Sequence, residues 1–67
     1  MPNMDEIVMV ECYGSIKEYT REEALKEYKY AMNNSQGEAK ERYRDIFLQL
    51  IQGKRSCTDM FSWRKQD

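Results

Sequence analysis

Between residues 37 and 53 the chain reads GEAKERYRDIFLQLIQG, and Ala39, Tyr43, Ile46, Phe47, Leu50 and Ile51 recur in it at the three-and-four spacing of one side of an α-helix. The rest of the chain must fit around that broad apolar stripe. Ser35 followed by Glu38 reads as a capping box, each side chain accepting from a backbone N–H that the first helical turn leaves without a partner. Gly53 supplies the left-handed residue that closes a helix, with Lys54 and Arg55 suited to the negative end of its dipole, so the stop is set near Gln52. Charges fill the other side: Glu38 with Arg42 and Glu41 with Arg44 are spaced as surface pairs worth about 0.2–0.5 kcal/mol each, which predicts a face turned to water. Leu48 alone falls off the stripe, as a single exposed apolar residue or one covered by another segment.

The second strong helical signal begins at Thr20, where Glu23 completes a capping box and Tyr19 stands before the cap. Ala24, Leu25, Tyr28, Ala31 and Met32 then share a face, which predicts a helix over 21–32, with Glu22 and Lys26 paired on its surface. The link through Asn33 and Asn34 is so short that the two helices should pack as an antiparallel hairpin. Upstream, Ile7, Val8, Met9 and Val10 form a short apolar run with two kinds of β-branched side chain, predicting a strand over 6–12. Tyr13, Gly14 and Ser15 offer turn chemistry, and residues 16–19 alternate as a half-buried strand does, so a β-hairpin is expected. An isolated hairpin is marginal in water and must lie on the helices. The expected fold is α+β, a short N-terminal β-hairpin packed on an antiparallel two-helix hairpin (ββαα). Residues 1–53 make one domain and residues 54–67, which sustain neither period, a polar tail carrying Met60, Phe61 and Trp63.

Sixty-seven residues build a small core, and 40% hydrophobic against 34% charged residues describe a folded chain rather than a disordered one. The net charge is −1, acidic over 1–20 and basic only at the end, so no field exists of the kind that drives binding to a phosphate backbone. The opening MPNMDEIVMVEC is acidic and its apolar run too short for a signal peptide or a membrane span, so a cytoplasmic protein that avoids membranes is expected. Cys12 and Cys57 lie far apart and outside any metal-ligand spacing, and read most simply as free thiols, Cys57 at the surface near Lys54 and Arg55. The sequence contains no histidine, which removes the side chain most used for acid–base work near neutrality. Its three glycines are scattered, with no phosphate-cradling loop. No catalytic, cofactor or metal site is therefore expected, and the chain reads as a non-enzyme.

What remains is recognition of a macromolecule, most simply a protein. Tyr30 points away from the Ala24 and Tyr28 face, as an aromatic lying along its own helix or one offered to a partner. Leu48 and the tail residues Met60, Phe61 and Trp63 are the other candidate contacts, and a second copy of the chain could equally cover such groups. Nucleic acid is the alternative: the second helix could act as a reader through Arg42 and Arg44, but Glu38, Glu41 and Asp45 on the same helix would repel phosphates.

From Tyr13 to Lys54 the sequence resembles a group of short accessory proteins of Firmicute mobile elements, conjugative elements and phages. The shared form is an aromatic-glycine turn (Tyr13, Gly14), a YTREEA-like helix start (Tyr19 to Ala24) and a Ser-x-Gly…Arg-Tyr stretch (Ser35, Gly37, Arg42, Tyr43). The resemblance implies a setting more than an activity: a small protein-binding module, in its most concrete form an inhibitor of a host defence protein such as a CRISPR–Cas nuclease. The alternative it leaves is a small DNA-associated regulator of a mobile element.

Overall fold

A computed structural model describes residues 3–59. The apolar run near the start becomes β1 (Ile7–Cys12) at the centre of a three-stranded sheet. Only alternate members of the run enter the core: Val8 and Val10 are fully buried, whereas Ile7 and Met9 stand on the outer face of the sheet. The chain turns through Tyr13 and Gly14, both with positive φ (55° and 81°), and returns as β2 (Ser15–Thr20). The strands pair antiparallel, from Cys12 opposite Ser15 to Ile7 opposite Thr20. Two residues in left-handed conformation make the mirror-image turn whose twist matches a hairpin.

Thr20 ends β2 and caps α1 (Arg21–Asn33). Its hydroxyl accepts from the Glu23 N–H at 3.2 Å, and its own N–H donates to the Glu23 carboxylate at 3.3 Å, so the capping box forms as expected. Helix α2 (Gly37–Ile51) packs against α1 as the second arm of the helical hairpin. Its start departs from the sequence pattern: the cap position is Gln36, one residue beyond Ser35, and no side chain caps it. Glu38 is then one position too early to reach back, and Arg42 holds its carboxylate instead. Gly37 carries the change of direction with φ +65°, a conformation that any other residue would enter with strain. At the far end Gly53 (φ 93°) closes the helix as expected, its N–H donating to Leu50 O at 3.1 Å and that of Lys54 to Gln49 O at 3.1 Å.

The chain then forms β3 (Ser56–Thr58), parallel to β1 with Cys57 beside Val10, which sets the sheet order β2-β1-β3. This strand lies beyond residue 53, where a tail was expected to begin. Three residues are too few to show a period, and the strand exists because β1 offers its second edge. Cys57, expected at the surface, is fully buried, and Asp59 after it is too. The Gln49 side chain of α2 lies along β3 like a further backbone, donating to Thr58 O at 2.8 Å and accepting from the Thr58 N–H at 3.3 Å.

Val8, Val10, Ala24, Tyr28, Ile46, Leu50 and Cys57 form the core, between the inner face of the sheet and the two helices. Ile51 belongs to the sequence stripe but is half exposed, because α2 ends there and among the described residues none covers its side chain. Two arginines join the interior. Arg21 is fully buried, donating to Leu50 O at 2.8 Å, Lys54 O at 3.0 Å, Gly53 O at 3.2 Å, Asn3 O at 3.3 Å and the Glu6 carboxylate. A cation in the first turn of a helix opposes that helix's own dipole. Arg21 instead neutralises the carbonyl end of α2, and so ties α1, the segment leading into β1 and the end of α2 into one body.

Candidate functional site

The hairpin, α1 and α2 leave an open groove of about 320 Å3 along the inner side of β2. Cys12 and Tyr13 enter it from the turn, Ser15, Lys17 and Tyr19 from β2, Glu27, Tyr28 and Ala31 from α1 and Tyr43 from α2. The alternation of β2 selects its inward residues, and the helical spacing of Glu27, Tyr28 and Ala31 selects one edge of α1. Four of the five tyrosines of the chain meet here. Their rings form an unbroken series, Tyr13 to Tyr43 at 6.3 Å, Tyr43 to Tyr28 at 5.9 Å and Tyr28 to Tyr19 at 6.2 Å, within the range of favourable aromatic pairs.

Tyr13 is placed there against local preference. Two-residue turns of this form favour Asn-Gly, and a tyrosine in the left-handed region costs about 1–2 kcal/mol. Its N–H donates to the Asp59 carboxylate at 3.3 Å, and its ring covers the Arg42 guanidinium at 4.2 Å from the ring centroid. Arg42 in turn holds Glu38 at 2.8 Å and approaches Asp59 at 3.6 Å. Arg42 was expected on a water-facing side of α2 as a reader of nucleic acid. It is buried instead, because Asp59, carried in by β3, and Glu38 give its charge partners, so it cannot reach a phosphate. Arg44 is exposed, beside Glu41, Asp45 and Leu48.

Shielding in the groove shows in its acids. Burial, then the Asp59 charge, pushes the Cys12 thiol up to about 11, while burial and the adjacent Glu27 push Tyr19 up to about 12. Burial raises Tyr28 and Tyr43 as well, and raises Cys57 in spite of Arg21 and Lys54. Both cysteines are free. Each raised acid keeps its proton in the fold at a pH where the unfolded chain has lost it, so the unfolded state binds fewer protons and stability falls as pH rises. The urea midpoint should therefore decrease as pH rises from about 9 through about 11, between the ordinary thiol value and that of Cys12. A midpoint that is flat over this range would show that the groove does not shield these groups.

Of the candidate partner contacts, Tyr30 is 71% exposed on α1 and Leu48 is exposed on α2. The helical hairpin places Tyr30 towards its turn and Leu48 towards its open end, so they do not form one patch. Met60, Phe61 and Trp63 lie outside the described residues. The tyrosine groove was not legible as a unit, since Tyr19, Tyr28 and Tyr43 each fit a helical or strand face and Tyr13 a turn. The signal that could have found it is Tyr13 itself, a large aromatic where the turn favours asparagine. Among the described residues no group of three or more His, Cys, Asp or Glu is placed to hold a metal, and no helix is long and apolar enough to cross a membrane. No family model, curated protein or solved structure matches this chain.

Proposed function

We infer that the chain is a non-catalytic protein-binding module and that its partner seats in the tyrosine groove. One observation carries the reading: four tyrosines from four elements line a single open groove, one of them held there at the expense of its turn. Tyrosine is enriched where proteins bind, because it offers a broad rigid face at little entropic cost together with a polar tip. The more specific form, an inhibitor of a host defence protein such as a CRISPR–Cas nuclease carried by a mobile element or phage, rests on the resemblance over Tyr13 to Lys54 alone. The burial of Arg42 removes half of the pair on which nucleic-acid recognition depended.

The test is capture of a partner by the tagged chain from nuclease-treated lysate of its own host, comparing the native sequence with Tyr13→Asn. Asparagine suits the turn, and that gain offsets the lost ring contacts to Arg42 and Tyr43, so this variant should fold about as well while losing the ring. Its capture should drop by at least about tenfold, the effect of removing an interface hot spot. Capture that disappears with nuclease would return the argument to nucleic acid. Capture that survives Tyr13→Asn but is lost in Tyr30→Ala or Leu48→Ala would move the interface to the outer faces of the helices.

A further inference from the structure

The two edges of the sheet differ. Met9 and Glu11 direct their main-chain groups to the β3 side, the Met9 N–H to Arg55 O at 2.8 Å and Glu11 O to the Asp59 N–H at 3.2 Å. In an antiparallel pair successive residues alternate in direction, so Val8, Val10 and Cys12 bond β2 through Tyr19, Lys17 and Ser15. Cys12 opposite Ser15 is the closing pair of a two-residue turn, which agrees with this phase. Ile16 and Glu18 therefore point their N–H and C=O groups away from β1, and among the described residues these groups have no partner. On β3 the outward residues are Ser56 and Thr58, and the Gln49 side chain occupies both groups of Thr58. Among the described residues the β3 edge is occupied at Thr58, whereas the β2 edge is open along its length.

The open edge borders the tyrosine groove. Lys17 and Tyr19 line the groove with their side chains while the intervening Glu18 offers its main chain to the outside, and α1 forms the facing wall. The geometry points to strand addition: an extended segment of the partner protein pairs with β2 through Ile16 and Glu18 and drops its alternate side chains into the groove between β2 and α1. Main-chain hydrogen bonds then hold the segment, and the tyrosines select its inward side chains, favouring those that stack on aromatic faces. A second copy of this chain fits the edge poorly. Self-pairing that sets Ile16 opposite Glu18 of the copy brings the two Lys17 side chains together, self-pairing centred on Glu18 brings two carboxylates together, and self-pairing centred on Ile16 overlaps only residues 15–17 of each strand. Like charges directly opposite on neighbouring strands are destabilising.

The inference rests on the protein-binding reading but is tested without the natural partner. A displayed library of linear twelve-residue peptides is selected against the full chain, and the enriched peptides are titrated into labelled protein while amide exchange is followed. Binding should slow exchange at Ile16 and Glu18 and shift Tyr19 and Tyr28. Glu18→Pro removes one outward N–H and leaves the bonds to β1 intact, as prolines on edge strands do. It should weaken peptide binding by about tenfold or more, and a Tyr30→Ala control should leave it unchanged. Should Glu18→Pro fold poorly, the exchange pattern of the native chain decides. Peptides that protect other amides, or a library that enriches none, would overturn strand addition while the capture experiment above still decides whether the chain binds a protein. A concentration-dependent dimer that Glu18→Pro abolishes would make a second copy the occupant and overturn it equally.

Discussion

Arg21→Ala is expected to remove most of the stability of the domain. The guanidinium is fully buried and serves carbonyls of Leu50, Gly53, Lys54 and Asn3 and the Glu6 carboxylate, so truncation leaves the end of α2 without its donor and the half-buried Glu6 with Arg55 alone. Breaking a buried charge pair from one side costs about 3–5 kcal/mol. A chain of this length, at about 0.05–0.15 kcal/mol per residue, holds only about 3–10 kcal/mol in total. Urea denaturation followed by circular dichroism should show a broad or absent transition at 25 °C. Arg21→Lys should recover only part of the loss, because an ammonium cannot span carbonyls on both sides of the helix end as the planar fork does. A midpoint within error of the native one in the alanine variant would mean that water replaces the guanidinium without loss.

The second large effect is expected at Asp59. Its carboxylate accepts from the Tyr13 N–H, stands against Arg42 and is fully buried at the end of β3. Asp59→Ala should cost about 2–4 kcal/mol, between an orphaned buried N–H and a fully broken ion pair, since Arg42 keeps Glu38. Asn at this position can still accept from the Tyr13 N–H and should recover roughly half of the loss. The loss should couple to Arg42: the double variant with Arg42→Met should be less damaged than the two single effects together, because neither partner is then left alone. Near-ultraviolet circular dichroism should change in Asp59→Ala, as Tyr13 loses its anchor and the ring series loses its first member. Strict additivity of the two substitutions would remove the Arg42–Asp59 contact from the account.

How much of this was legible in the sequence depended on the range of the interaction. The start of α1 was readable because Thr20 and Glu23 are three residues apart, and the close of α2 because Gly53 acts on its own helix. The hairpin followed from a four-residue apolar run and a glycine turn. The capping box at Ser35 failed by one residue, since Glu38 had a stronger partner four positions along in Arg42. The burial of Arg21 and Arg42 escaped because arginine is read as a surface residue unless its distant partners are known. Those partners are the end of α2 for Arg21 and Asp59 for Arg42. The strand β3 escaped for the same reason: its three residues take their conformation from β1, more than forty positions away. The groove is a product of assembly. Tyr13, Tyr19, Tyr28 and Tyr43 are spread over thirty residues and become one surface only when the hairpin closes on both helices.

The Gln49 amide has a consequence for how these molecules behave in numbers. A fibre built by stacking sheets edge to edge needs every unit to accept a neighbour on two sides, as links in a chain do. With Thr58 already satisfied by Gln49, the described β3 edge offers a neighbour the outward groups of Ser56 alone, so a second addition on that side is held far more weakly than one on β2. Exchanging Gln49 for a residue that cannot mimic a peptide group would free Thr58 as well and lengthen the edge on which a neighbour can dock.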